Sequence, residues 1–265
     1  SSLFAAVYSG DAAEVENHIL RGDDLNAKDA DGLTPLHHAA RIKNLGILNL
    51  LLDYGANPNA NADPNRLSTP LITASEAGQF EAAACLRAYG AAYTIHHAAG
   101  YGDVAAVGEF LDFAPGSIEE TTIGKDTPLH TAAANNQLGV VKLLLDKNAD
   151  TSALNEQGLT PLGAAAMAGH TQTISFFLSR GVRIDQPQSN RDTILHKAIV
   201  KGSTVFWDEL LRLGVNLNAV NANGMTPLHV ATRSEQKSAL KWLLSKGALQ
   251  VPDSAGQTPL HYAAA

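Results

Sequence analysis

The stretch D-G-L-T-P-L-H-H-A-A at residues 31–40 returns, with varying erosion, down the whole chain. The same register reads S-T-P-L-I-T-A-S at 68–75, D-T-P-L-H-T-A-A at 126–133 and L-T-P-L-G-A-A-A at 159–166. It continues as D-T-I-L-H-K-A-I at 192–199, M-T-P-L-H-V-A-T at 225–232 and Q-T-P-L-H-Y-A-A at 257–264. Marking each copy by its leucine-type position gives Leu3, Leu36, Leu71, Ile95, Leu129, Leu162, Leu195, Leu228 and Leu260, with separations of 33, 35, 24, 34, 33, 33, 33 and 32. A fixed period of this size makes each copy one supersecondary unit that cannot bury its apolar face alone. Neighbours must stack to bury it, so stability comes from successive interfaces and no single central core is expected.

Each unit reads as two short helices. Thr34 is placed to cap the first, and Pro35 follows at the position where a missing N–H costs nothing. Leu36, Ala39 and Ala40 make a narrow apolar seam, and the alanines let the next helix pair approach closely. Leu45, Leu48, Leu51 and Leu52 give the second helix an apolar stripe at helical spacing. Gly55 then fits the left-handed C-terminal cap, a slot that Gly22, Gly90, Gly181, Gly214 and Gly247 fill elsewhere. Asn148 holds it in the fourth repeat, which predicts a positive φ there.

The T-P-L-H-x-A signature at this period resembles the ankyrin repeat family. The resemblance implies an all-α solenoid of about eight and a half helix-turn-helix units joined by short β-hairpin loops. Residues 1–91 read as an N-terminal cap plus repeats 1–2, and 92–265 as repeats 3–7 plus a truncated repeat 8, stacked as one continuous solenoid. Repeat two is eroded. Residues 64–67 replace the usual D-x-x-G turn, the second helix is mostly alanine, and Arg87 stands where repeat four has Leu145. The period of 24 before Ile95 removes one hairpin, and residues 94–110 look like a second starting unit akin to 3–19. Trp207 aligns with Val141 and is expected in the core; Trp242 aligns with Leu143 at the edge of the stripe. The chain stops at Ala265 on an apolar helix with no polar cap, so further chain is expected beyond it.

Composition narrows the function. Nineteen Lys+Arg against 26 Asp+Glu give a net charge of −7, which argues against nucleic acid as a partner. No apolar run reaches the roughly 20 residues that a membrane span needs. One cysteine, Cys85, excludes an internal disulfide framework and leaves the compartment open, with the cytoplasm as the expectation.

Six of the ten histidines, His37, His96, His130, His196, His229 and His261, share one repeated slot. Copies one repeat apart form a row, which is no tetrahedral metal site. The resemblance implies that they hydrogen-bond the neighbouring loop backbone. Gly100–Ala105 matches G-x-G-x-x-A but lies between two helices of a repeat, where a dinucleotide motif needs a preceding strand. Asp29-Ala30-Asp31-Gly32 opens like a calcium loop, yet His38 occupies the closing position that requires glutamate. No catalytic residue, metal or cofactor is expected.

The resemblance instead implies a protein partner, bound by a monomeric scaffold across hairpin tips and first helices. The positions that match are Leu33, Arg41 and Ile42 in repeat one and Tyr101 in repeat three. Repeats four and five offer Asp126, Asn135, Glu156, Leu159 and Met167; repeats six and seven offer Asp192, Val200, Lys201, Met225 and Arg233. The expected surface is an apolar strip rimmed by mixed charge, the pattern of a protein interface. The alternative is that the array recruits targets for an enzyme or effector whose catalytic part lies outside this chain.

Overall fold

Each T-P-L-x start nucleates a helix where the sequence places it. In the computed structural model, which describes residues 2–63, 68–202 and 206–264, every regular element is helical. The replacement turn at 64–67 lies outside the described residues. The chain divides into two compact units, 1–110 and 111–265.

The first unit runs through α1 (Leu3–Ser9), α2 (Ala12–Leu20), α3 (Pro35–Arg41), α4 (Leu45–Asp53), α5 (Pro70–Glu76), α6 (Phe80–Ala88), α7 (Ile95–Tyr101) and α8 (Val104–Phe113), the last crossing the division. Its core is a file of fully buried side chains, Val7, Val15, Leu36, Leu48, Leu51, Leu71 and Leu86. Ala39 and Ala40 are likewise fully buried at the helix seam, where a larger side chain would hold the helices apart. The helix pairs α1–α2 and α7–α8 carry similar caps. Gly10 and Gly102 both close first helices at positive φ, and Asp11 and Asp103 both accept a first-turn N–H of the second helix, at 3.0 Å each.

Arg87 is not the weakness its alignment with Leu145 implies. Its guanidinium donates to Asp103 at 3.1 Å and Glu109 at 2.8 Å, and sits 5.7 Å above the Tyr93 ring. Asp103 is only 2% exposed and also caps α8, so this one arginine ties α6 to the start of α8 where a hairpin is missing. Tyr93 packs near His97 and Phe110 and bonds Ser75 at 3.1 Å; burial pushes its phenol up to about 12.

The second unit runs through α9 (Pro128–Ala134), α10 (Leu138–Asp146), α11 (Pro161–Ala168), α12 (Thr171–Ser179), α13 (Ile194–Lys201), α14 (Trp207–Arg212), α15 (Pro227–Arg233), α16 (Lys237–Ser245) and α17 (Pro259–Ala264). Trp207 is 2% exposed, as its alignment with a core valine requires, and it packs against the half-buried Trp242 at 5.4 Å between ring centroids. Among the described residues the connecting fingers form no strand. In one finger Asn155 N–H bonds the Leu159 carbonyl at 3.0 Å around a turn closed by Gly158 N–H to the Asn155 carbonyl at 2.8 Å, too short a pairing to make a ladder. Successive fingers are linked as β-strands are: Glu156 N–H reaches the Gly124 carbonyl, Ser189 N–H that of Gly158, and Ala222 N–H that of Asn190, at 2.8, 2.8 and 2.9 Å.

Asn148 adopts φ 62°, the left-handed conformation of the glycine slot it occupies. Asn148→Gly is therefore expected to leave thermal stability unchanged or slightly raised. Asn148→Val should lower it, because a β-branched side chain resists this conformation. Paired melting curves check both.

Candidate groove and the histidine row beneath it

The first helices are positioned by a device that repeats. In α9, Thr127 caps the helix, and His130 one turn on accepts the Thr127 N–H at Nδ1, 3.2 Å away. The Nε2 of His130 then meets the Leu159 carbonyl of the next finger at 2.9 Å. An N–H can only donate and a carbonyl can only accept, so the ring is a neutral imidazole with its proton on Nε2. Both nitrogens are consumed, which leaves none for a metal. The same bridge joins His37 to the Ser68 carbonyl at 3.0 Å, His196 to Met225 at 2.9 Å and His229 to Gln257 at 3.0 Å. Burial holds His37, His130 and His196 below the usual histidine range, against the opposing effect of these carbonyls.

Two copies of the slot behave differently. In α7 the helix begins one residue later relative to its core marker. His97, and not His96, therefore sits at the capping position, with Nδ1 3.0 Å from the Thr94 hydroxyl. Among the described residues His261 bonds within its own turn alone, accepting the Thr258 N–H at 3.0 Å. In α11 the slot holds Gly163, and the neighbouring finger supplies what the histidine would. Gln188 Oε1 accepts the Thr160 N–H at 2.6 Å while its Nε2 donates to the Thr160 hydroxyl at 3.2 Å. A Cβ on residue 163 would lie 2.5 Å from that Oε1, so glycine here makes room for the substitute.

With the fingers fixed, a cleft of about 270 Å³ opens between them and the first helices of the C-terminal unit. Asp126, Asn135, Leu159, Met167 and Lys201 line it, together with Gln157 at the neighbouring fingertip. Met167 is half-buried, and Val200, one repeat further, is 54% exposed. A second hollow of about 420 Å³ takes in Met225 and Arg233. Glu156 is exposed at its fingertip.

Two members of the expected apolar strip are covered. Leu159 and Met225, each just before a capping threonine, are 6% and 3% exposed, and the Met225 sulfur lies 3.9 Å from Arg233 Nη1 at the end of its own first helix. Asp126 and Asp192 hold the same position and accept from the next finger, from Asn155 Nδ2 at 2.8 Å and Asn221 Nδ2 at 2.9 Å. Of the expected strip in this unit, the part left open to a partner is thus carried by Met167 and Val200 on the helices. In the N-terminal unit Arg41 is exposed and Leu33, Ile42 and Tyr101 are half-buried, with Ile42 lining a separate hollow between the turns of two successive repeats.

Among the described residues no group of three or more histidine, cysteine or acidic side chains could hold a metal ion, and no helix is long and apolar enough to cross a membrane.

A family profile described as ankyrin repeats (3 copies) matches residues 3–95 and 195–265, and one described as ankyrin repeats (many copies) matches 129–178. The chain belongs to the ankyrin repeat family. It is 27% identical, over 98% of its length, to transient receptor potential cation channel subfamily A member 1 of Homo sapiens, covering 25% of that protein. It is also 27% identical, over 89% of its length, to ankyrin repeat domain-containing protein SAT10 of Stachybotrys chartarum, covering 13%. XBAT31 of Arabidopsis thaliana, whose name assigns it to the E3 ubiquitin-protein ligases, is 31% identical over 56% of the chain, which covers 36% of that relative. The chain thus spans about a third or less of the length of each, and a channel and a ligase resemble it through their repeats.

Proposed function

We propose that this chain is a non-catalytic scaffold that binds a protein partner on the fingers and first helices of its C-terminal unit, as a monomer. The observation that carries the reading is the cleft holding Met167 with exposed Val200 beside it, on a frame whose polar groups are otherwise spent on holding the fingers. A rigid frame lowers the ordering cost of association, and apolar side chains set among polar neighbours supply the anchoring burial. Membership of the family supports the reading, since an ankyrin array recognises proteins and carries no chemistry of its own. The great length of the relatives beyond the matched region favours a second form of the same reading, in which the array recruits a target for an enzyme or effector encoded in the rest of a longer protein.

Met167→Glu combined with Val200→Glu places two carboxylates on the open surface without entering the seam between repeats. Partner affinity should fall at least tenfold, about 1.4 kcal/mol, with the melting temperature little changed. Met225 is unsuitable for this test because it is buried. Undiminished binding of a purified partner to the double variant would refute the groove reading.

A further inference from the structure

We infer that the groove of the C-terminal unit selects an extended, acidic peptide segment carrying one apolar anchor, an inference that rests on the groove reading above. The motive is the order of side chains along one repeated slot. Ala134, Met167, Val200 and Arg233 occupy equivalent positions on α9, α11, α13 and α15, and Lys201 lies beside Val200. The slot therefore passes from apolar to cationic along the row.

The cations and the anions of this surface are in different states. Asp126 and Asp192 point their oxygens at Asn155 and Asn221, Asp192 also lies 3.6 Å from Lys197, and Asp253 takes the Tyr262 hydroxyl at 2.7 Å. These carboxylates are built into the scaffold. Lys201 and Arg233 are exposed and in no ion pair among the described residues; Arg233 Nη1 lies 3.9 Å from the Met225 sulfur. Glu156 is the exposed exception at the fingertips. A chain of net charge −7 thus presents free cations in the groove, where they would attract an acidic segment.

Spacing sharpens the inference. Packed helices lie roughly 10 Å apart, and an extended segment advances about 3.3 Å per residue. A segment crossing the first helices therefore meets a new one about every three residues. An apolar side chain at Met167 would place an acidic one against Lys201 three residues on, and another near Arg233 after three more.

Selection of a random dodecapeptide display library on the whole chain tests this. The expected result is enrichment of sequences with two carboxylates at three-residue spacing from an apolar residue. Their binding should weaken on raising salt from 50 to 500 mM and fall at least tenfold in Lys201→Glu with Arg233→Glu, at an unchanged melting temperature. Enriched peptides that are neutral or basic but lose binding to Met167→Gln would overturn the acidic preference while leaving the groove in place. Acidic peptides indifferent to both variants would overturn the inference and the groove together. No enrichment would overturn the inference of a linear ligand, and a folded partner would still be judged by the Met167 and Val200 double variant.

Discussion

Arg87→Ala is expected to destabilise the N-terminal unit by about 3 kcal/mol, because it leaves Asp103 buried without its counter-ion. Asp103 is 2% exposed and the Arg87 side chain 15%, so the pair is shielded from the solvent screening that makes surface bridges nearly worthless. The charge and the cap can be separated. Asp103→Asn keeps an acceptor for the Ala106 N–H but removes the charge, so Arg87→Leu with Asp103→Asn should recover most of the loss. Chemical denaturation of the three variants checks the account. If the single variant cost less than about 0.5 kcal/mol, the bridge would be contributing nothing.

His130→Ala should cost about 1–3 kcal/mol near pH 7.5, the price of a buried carbonyl and a buried N–H losing a shared partner. The row also makes stability fall in acid. An unfolded histidine takes up its proton near pH 6.5, whereas burial holds His37, His130 and His196 lower in the folded chain. Below about pH 6.5 the unfolded state therefore binds protons that the folded state refuses, and the equilibrium moves toward unfolding; above that pH both states are neutral and the effect vanishes. Denaturation at pH 7.5 and pH 5.5 should show the loss, and His130→Ala should show a shallower one. A gain in stability on acidification would refute the neutral bridging role.

Much of this architecture is legible in the sequence because the repeat reports it many times. Each threonine cap, each buried alanine seam and the positive φ of Asn148 could be read from alignment within the chain. What escaped reading were substitutions whose partner lies a repeat away. Arg87 looks like a defect until Asp103 is brought beside it. Gly163 looks like a lost histidine until Gln188 enters from the next finger. Leu159 and Met225 look like fingertip anchors, because periodicity marks them as variable apolar positions and cannot tell which way a finger residue turns. The His96 slot slipped by one because Ile95 directly follows Thr94, without the residue that separates cap and core marker in the other threonine-capped repeats. The site was therefore less legible than the fold. Stacking is fixed by repetition, whereas exposure is fixed by neighbours outside the repeat.

The account rests on binding through the groove, and site-specific photo-crosslinking reads that directly. A photoreactive phenylalanine analogue replaces either Met167 in the cleft or Trp242 on a second helix. Each chain is then irradiated with extract from the native source. The account predicts a discrete protein adduct from position 167, abolished by Lys201→Glu with Arg233→Glu, and none from position 242. An adduct from position 242 with none from position 167 would contradict it and move recognition to the second-helix face.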